Sequence, residues 1–310
     1  MEDQIIEFTV DTPGERLDVA LVMNTDGMSR GQLQALIQEG KVSVNGKPAK
    51  PSLKLKGGEQ VIIHMPAPPQ DDRVAPQEIA LTILYEDEQL AVIDKPAGLV
   101  VHPGDGNEQG TLVNALLARY PQIAQIPYDA RRRGIVHRLD KDTSGLIVIA
   151  KNAPSQLKLT EQFAKRTVDK TYLALTERPP KTLTGRIDAP IARDPKQRKR
   201  MAVQRGGKRA ITEYKVIDAE FPEGQALLEV NLLTGRTHQI RVHLAFIGAP
   251  IVGDTVYGFR KQRVKLKRHF LHAAKLAFDH PVTGERLQFE SPLPEDLKVL
   301  LEKLRENAQG

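Results

Sequence analysis

Four closely spaced prolines divide this chain of 310 residues into two parts of different character. They lie in "MPAPPQDDRVAPQ", residues 65–77, among mostly polar residues. Proline lacks a backbone N–H and fixes φ, so such a stretch fits neither a helix interior nor a central strand. The sequence therefore predicts a semi-rigid linker over 65–79, between a small N-terminal module and a larger C-terminal body.

The segment before the linker, residues 15–64, has the pattern of a helix followed by a hairpin. Ser29 and Gln32 fit a capping box at a helix start, and Gly40 is placed to end that helix. The pair Asn45-Gly46, flanked by short strand-like segments, is typical of a tight β-hairpin. These signals together predict a small folding unit.

The body after the linker alternates short apolar strands with amphipathic helices. Thr237 is expected to cap a helix over 238–247, and Gly248 is expected to end it. The pattern predicts an α+β body, with further helices at 111–120, about 155–166 and the C-terminal tail, and with strands in 81–101, 170–177 and 225–235.

Composition excludes several classes of protein. The chain has no cysteine, which excludes disulfides, a thiolate nucleophile and cysteine-ligated metal. No apolar run approaches the roughly 18 residues of a membrane span. The N-terminal residues lack the basic-then-apolar pattern of a signal peptide. We therefore expect a soluble protein of the cytoplasm that does not contact a membrane.

Positive charge is concentrated in two runs of the body. The formal net charge is +6, yet residues 193–209 alone hold eight Lys or Arg against one Asp. Residues 260–268 add six basic residues and no acidic one. A solvated loop could carry either run, but two runs in one chain favour nucleic acid as the partner.

The stretch "GIVHRLDKDTSGL", residues 134–146, places five charged or ionisable side chains between two apolar runs. Asp, Lys, Thr, Ser and Gly are common in a solvated turn between two strands. The same pattern fits an active-site loop held by a rigid sheet, with a carboxylate directed at a substrate. The local sequence leaves both interpretations open.

The body resembles the RluA/RluD family of pseudouridine synthases across residues 80–300, and residues 15–63 resemble the S4 RNA-binding domain. The resemblance depends on several separated motifs that occur in the family's order. In the module these are Arg16-Leu17-Asp18, Ser29-Arg30, Gly40-Lys41-Val42 and Val44-Asn45-Gly46. In the body they are Asp94-Lys95-Pro96-Ala97-Gly98, Val101-His102-Pro103-Gly104, His137-Arg138-Leu139-Asp140 with Thr143-Ser144-Gly145, Lys170-Thr171-Tyr172, Gly235-Arg236-Thr237-His238-Gln239-Ile240-Arg241, Gly253-Asp254 and Tyr257-Gly258.

The resemblance implies an S4 domain over 15–64 and a catalytic domain over 80–310. It implies an α+β fold with a mixed, mainly antiparallel central sheet and flanking helices. The implied reaction isomerises uridine to pseudouridine in large-subunit (23S) ribosomal RNA or its precursor particle. No atoms enter or leave, so we expect no cofactor and no metal, and we expect a monomer. Two alternatives are a member of the family acting on tRNA and a non-catalytic RNA-binding protein of ribosome assembly.

The resemblance also implies roles for single residues. Asp140 is the expected catalytic aspartate, and Arg241 is the cation that keeps it ionised. Tyr172 is expected to stack on the target base, and Arg138 to enter the RNA stack when that base flips out. His102 and His137 are interpreted as structural hydrogen-bonding residues. Which uridine reacts, and whether Asp140 attacks C1′, attacks C6 or acts as a base, stays open. Expected RNA contacts are Arg16, Arg30, Lys41, Lys47, Arg198 and Arg200.

Overall fold

The N-terminal region has a hydrophobic core made of its own residues. The protein is described by a computed structural model, covering residues 4–10, 13–25, 30–65, 74–104, 106–197 and 200–306. Leu17, Leu21 and Leu33 are fully buried with Val61 and Ile63 in this small core. The region contains β1 (Gln4–Thr9), α1 (Leu17–Asn24), α2 (Arg30–Gln38), β2 (Val42–Val44), β3 (Lys47–Pro48) and β4 (Gln60–Met65).

The strands of this region form an antiparallel sheet in the order β1-β4-β2-β3. The turn between β2 and β3 has positive φ at both Asn45 (48°) and Gly46 (73°), as a tight two-residue hairpin requires. The predicted hairpin is therefore confirmed. Strand β1 lies before residue 15 and joins the same sheet, whereas the capping residue Ser29 lies outside the described residues.

The body is built on a mixed sheet with helices on its faces. Among the described residues, nine strands form this sheet: β5 (Thr82–Glu86), β6 (Leu90–Lys95), β7 (Ser144–Ala150), β8 (Asp169–Thr176), β9 (Thr184–Asp188), β12 (Ile211–Asp218), β13 (Ala226–Leu232), β14 (Leu271–Asp279) and β15 (Arg286–Glu290). They join in the order β5-β6-β7-β14-β8-β13-β12-β9, with β15 beside β14. Two further strands, β10 (Ile191–Arg193) and β11 (Met201–Val203), form a separate hairpin. The helices are α3 (Leu112–Arg119), α4 (Ala153–Lys165), α5 (Gln239–Phe246) and α6 (Glu295–Glu306).

The described sheet is mainly antiparallel, as predicted. β14 runs parallel to β7 and antiparallel to β8, so the direction of the sheet changes at its centre. All seven residues of β7 are buried, because hydrophobic clusters cover both faces: Ile147 and Ile149 face one cluster, and Leu146 and Val148 face the other. The charged stretch at 137–143 therefore leads directly into one of the most buried strands of the sheet.

The C-terminal part of the predicted linker packs against the body. Residues 66–73 lie outside the described residues. Val74 is buried in the main core, and Asn114 of α3 donates a hydrogen bond from Nδ2 to the carbonyl of Ala75 at 2.7 Å. The backbone N–H of Gln77 donates to the carbonyl of Asn114 at 3.0 Å. The part of the 65–79 segment that the structure describes is thus anchored on α3.

Helix α5 begins differently from its prediction. His238, and not Thr237, is the N-cap, and no side chain caps the helix. His238 has left-handed backbone angles, with φ +56°. The Gln239 side chain explains the difference, since its Oε1 accepts hydrogen bonds from Arg236 N–H (2.9 Å) and Thr234 Oγ1 (2.8 Å). These bonds fix the turn without Thr237, which is exposed.

Candidate active site

Residues 140–143 form a tight turn that buried donors hold in place. The N–H of Thr143 donates to the carbonyl of Asp140 at 3.1 Å. The carbonyl of Lys141 accepts from Lys95 Nζ at 3.0 Å and from Gly98 N–H at 2.9 Å. Burial lowers the pKa of Lys95 to about 8, an effect partly opposed by Asp142 and Asp140. The buried Lys95 thus ties the turn to the end of β6.

The far side of the turn is held by β14 and by the two residues Arg268 and His269 shortly before it. Arg268 donates from Nη1 to the carbonyl of Asp142 at 3.1 Å, and Thr143 Oγ1 lies 2.8 Å from His269 Nε2. Gly145 lies against β14 so closely that an added Cβ would be 2.3 Å from the carbonyl oxygen of Ala273. Only glycine allows β7 and β14 to approach at this point. The turn is therefore rigid on both sides.

Asp140, Arg241 and Asp254 form a chain of ion pairs at the bottom of a pocket. Arg241 donates from Nη1 to Asp140 Oδ2 at 3.0 Å. Its other edge makes two bonds to Asp254, from Nε at 2.7 Å and from Nη2 at 3.0 Å. The side chain of Asp254 is fully buried, that of Arg241 is 8% exposed and that of Asp140 is 17% exposed. Only the Asp140 end of the chain is thus open to a substrate.

The buried members of this chain are held in their charged forms. Burial alone would lower the pKa of Arg241, but the hydrogen bonds and charges of Asp254 and Asp140 raise it above its usual value. Burial alone would raise the pKa of Asp254, but Arg241 and the N–H groups of Tyr257 and Val256 lower it overall. Asp140 therefore faces a permanent cation across a short hydrogen bond.

Tyr172 lies in the middle of β8, between β13 and β14, and lines the same pocket as Asp140. The residue is 6% exposed. Burial, followed by the charge of Asp140, raises the pKa of its phenol well above the usual value. The phenol consequently stays protonated around neutral pH. Stacking of Tyr172 on a base stays a prediction.

His238 stands beside Asp140 on the pocket wall. Its Nε2 is 3.9 Å from Asp140 Oδ1, and its Nδ1 is 2.8 Å from the hydroxyl of Tyr257. Tyr257 also lies under the guanidinium of Arg241, with its ring centroid 5.1 Å from Cζ. His238 and Tyr257 thus complete the shell around the Asp140–Arg241 pair.

The pocket opens into a larger cleft that is lined by basic side chains. The pocket has a volume of about 350 Å³, and the adjoining cleft has a volume of about 1220 Å³. Arg138, Asp140, Tyr172, Leu232 and Arg236 line both spaces. Arg166 and Lys170 add two further cations to the cleft wall. One carboxylate therefore lies at the base of a predominantly positive depression.

Arg138 and the two predicted structural histidines take part in defined hydrogen bonds. Arg138 is exposed, and its Nη1 lies 3.1 Å from His102 Nε2. His102 Nδ1 lies 3.2 Å from the carbonyl of Pro103. His137 Nε2 accepts a hydrogen bond from the N–H of Val148 at 3.0 Å, which ties the charged stretch to β7. Both histidines therefore do act as hydrogen-bonding groups.

One of the expected RNA contacts outside the pocket, Arg200, contacts the shell around the Asp140–Arg241 pair. Arg200 follows the turn of the β10–β11 hairpin, and its guanidinium lies over the Tyr257 ring at 5.2 Å. Arg198 lies outside the described residues. In the N-terminal region Lys47 is exposed, Lys41 is partly exposed and Arg16 is paired with Asp18 at 3.0 Å. Arg30 begins α2, and its side chain lies outside the described part.

The structure brings together the predicted Asp140, Tyr172, Arg241 and Arg138, and it adds residues that the sequence had not singled out for a role. Asp254, Tyr257 and Lys95 belonged to recognised motifs, but nothing local indicated what they would contact. Two signals were present: a lysine at the end of β6, close after the apolar run "LAVI", and a lone aspartate after the apolar "APIVG". A charge amid apolar residues needs a buried partner.

In the part of the chain that the structure describes, no group of three or more His, Asp or Glu side chains is arranged so that it could hold a metal ion. None of the described helices is long and apolar enough to cross a membrane.

Comparison with known proteins agrees with this geometry. The model of the family described as "RNA pseudouridylate synthase" matches residues 89–246, and the S4 domain model matches residues 15–61. A protein of Nitrosomonas europaea, named ribosomal large subunit pseudouridine synthase D, is 46% identical over 312 residues, covering 98% of this chain and 89% of that protein. An uncharacterized RNA pseudouridine synthase of Aquifex aeolicus is 44% identical over 313 residues, 98% of each chain.

The fold of this chain is also similar to that of a solved structure. Human RNA pseudouridylate synthase domain containing 4 superposes with a TM-score of 0.58 at 29% identity, covering 72% of this chain and 93% of that one. The predicted fold class is thereby confirmed. A protein that joins an S4 domain to this sheet and this pocket is an RNA pseudouridine synthase by descent, and the chain belongs to the RNA pseudouridylate synthase family.

Proposed function

We propose that this protein converts specific uridines of large-subunit (23S) ribosomal RNA to pseudouridine, with Asp140 as the catalytic carboxylate. The observation that carries the proposal is Asp140, the one carboxylate among the described residues that line the basic cleft, held by Arg241 at 3.0 Å. The choice of RNA is supported by relatives such as the one from Nitrosomonas europaea, whose name specifies the large ribosomal subunit.

The chemistry requires a carboxylate but no outside reactant. The N1–C1′ bond of uridine breaks, the uracil turns, and C5 bonds to C1′. Arg241 holds Oδ2 of Asp140 in a fixed direction, while Oδ1 faces His238 across the pocket. A fixed, ionised carboxylate can act as nucleophile or base without reorganising during the reaction. The rigid turn at 140–143 supplies that fixed position.

The depth of the pocket requires that the uridine leave its stack. A base inside a stem cannot reach a side chain that is only 17% exposed unless the nucleotide flips, which costs a few kcal/mol. Arg138 lies on the rim that the pocket and the cleft share, two residues before Asp140. We propose that Arg138 fills the gap that the flipped uridine leaves, and that Tyr172 stacks on the flipped base.

The N-terminal region supplies a second RNA contact in this proposal. Its exposed Lys47 lies on β3, and the exposed Lys50, Lys54 and Lys56 lie in the segment between β3 and β4. Such side chains bind phosphates and fix position without reading bases. This region and the cleft would therefore hold the RNA at two places. The proposed RNA contacts of this region are Arg16, Arg30, Lys41 and Lys47, and we propose Arg198 and Arg200 as further contacts on the body.

The proposed activity is tested by incubating the purified protein with unmodified large-subunit rRNA, small-subunit rRNA and tRNA, followed by mapping of pseudouridine at single-nucleotide resolution. We expect new pseudouridine in the large-subunit RNA alone. Product confined to tRNA would show that the protein is a tRNA-directed synthase. Binding without product in any RNA would instead identify an assembly factor.

Replacing Arg138 by alanine should slow the reaction on folded RNA about tenfold or more. In our proposal the Arg138 side chain offsets part of the free-energy cost of flipping the uridine, and each 1.4 kcal/mol of that offset that is lost lowers the rate tenfold. The loss should shrink on an RNA whose target uridine is already unstacked. Single-turnover rates on matched structured and unstructured RNAs measure both effects, with 2-aminopurine beside the target reporting unstacking. Arg305→Ala is the matched control, since it removes the same charge from an exposed site on α6, outside the pocket lining and outside both basic runs. Equal slowing on the two RNAs would contradict the flipping role.

A further inference from the structure

The pocket contains an ionisable group besides Asp140 that the proposed reaction has not yet used. His238 lines the pocket with a side chain that is 24% exposed. Its Nε2 is 3.9 Å from Asp140 Oδ1, which is longer than a hydrogen bond. An atom of a bound uracil could therefore lie within reach of both groups.

The orientation of the His238 ring is set from behind by Tyr257. The Tyr257 hydroxyl accepts a hydrogen bond from the N–H of Met201 at 2.9 Å and lies 2.8 Å from His238 Nδ1. A phenol oxygen has acceptor capacity for a second bond, so it can also accept from an Nδ1–H. In that tautomer the lone pair of Nε2 points into the pocket.

Pseudouridine formation includes a proton transfer that needs such a group. When C5 of the turned uracil bonds to C1′, C5 becomes tetrahedral and still carries its hydrogen. That C5–H bond must break and its electron pair forms the C5–C6 double bond, while the C6–N1 double bond gives its π electrons to N1, which takes up a proton. If Asp140 is bonded to C6, the C6–O bond breaks instead and returns its electron pair to the carboxylate. Atoms balance without any co-reactant, and the C5 proton must leave whichever way Asp140 starts the reaction.

We propose that His238 is a catalytic residue that removes the C5 proton through Nε2, with Tyr257 as the positioning residue that holds its ring. The proposal rests on the proposed function. The proton passes from C5 to Nε2 and then to solvent, while N1 takes a proton from solvent. The imidazolium that forms lies 3.9 Å from Asp140 Oδ1, and this negative charge stabilises it.

The charges around His238 suit this role better than those around Tyr172. Burial lowers the pKa of His238, and the cations Arg241 and Arg138 lower it further. Asp140 and Asp254 oppose this effect, but the pKa stays below its usual value. The ring is therefore neutral at pH 7 and able to accept a proton. The phenol of Tyr172 has a raised pKa and keeps its proton. Arg241 is permanently protonated and cannot accept one.

The test uses the full-length protein and RNA that carries either hydrogen or deuterium at C5 of the target uridine. His238→Asn is the main variant, because asparagine tolerates the left-handed backbone and its amide can still reach Tyr257 from the position of Nδ1. We expect a single-turnover rate lowered by about 10²–10⁴-fold. We also expect a primary deuterium isotope effect that is larger than in the wild type, because C5–H cleavage becomes the slow step.

A second variant and a folding check separate chemistry from structure. His238→Gln places an amide where Nε2 was but cannot carry a proton, so it should show the same isotope effect. Thermal unfolding should stay near that of the wild type for at least one of the two variants. Equal rates with the two isotopes, an undiminished rate, or no measurable product from either variant would overturn the role of His238. Absence of product from the wild type would instead refute the proposed function, and this inference with it.

Discussion

Replacing Asp140 by asparagine is expected to abolish pseudouridine formation while leaving RNA affinity within a few-fold. The substitution keeps the size of the side chain and an oxygen that can accept the hydrogen bond from Arg241 Nη1, so the pocket should keep its shape. It removes the negative charge and the nucleophilic or basic oxygen, which the proposed chemistry cannot do without. Product is measured after long incubation with excess enzyme, and affinity by filter binding of the same RNA.

Asp142→Asn is the matched control for this prediction. Asp142 belongs to the same turn, but its side chain does not line the pocket, and its carbonyl, not its carboxylate, accepts the hydrogen bond from Arg268. We expect this variant to remain active. Turnover by the Asp140 variant would show that its carboxylate is not catalytic. An equal loss in both variants would show that the turn needs its charges for a reason other than catalysis.

Replacing Arg241 by methionine is expected to lower the free energy of unfolding by about 3–5 kcal/mol and to remove activity. The change leaves Asp254, whose side chain is fully buried, without its cation. Removing one partner of a buried ion pair costs about this much, because the remaining charge has lost both water and partner. It also leaves Asp140 without the group that orients it. Urea unfolding at pH 7 measures the first effect, and single-turnover kinetics the second.

A double variant separates the two consequences. Arg241→Met combined with Asp254→Asn removes both buried charges, and the new amide oxygen can still accept from the N–H groups of Val256 and Tyr257. Stability should recover for the most part, since no buried charge is left unpaired. Activity should not recover, because Asp140 still lacks its partner. If the single variant were as stable as the wild type, the buried pair would have no structural role.

Several features could be predicted from the sequence because they depend on neighbouring residues. The Asn45-Gly46 hairpin follows from the positive φ that both positions adopt, and α3 begins at a Thr111 cap, just before its predicted apolar pattern. The strands around Tyr172 and Leu228 were visible as apolar runs of strand length. The position of Asp140 in a turn between buried segments was also visible, but the sequence pattern by itself did not distinguish a solvated turn from an active site.

The composition of the site was decided by tertiary structure. Asp140 and Arg241 are 101 positions apart, and Lys95 reaches a carbonyl 46 positions away. No local pattern specifies such pairs, because they follow from the register in which β7 pairs with β6 and β14. The left-handed turn at His238 was hidden for the same reason: the distant backbone at residue 211 holds the Gln239 side chain that shapes it. The sequence by itself therefore determined the family motifs and the local elements, whereas the packing of distant segments decided which charges meet in the pocket.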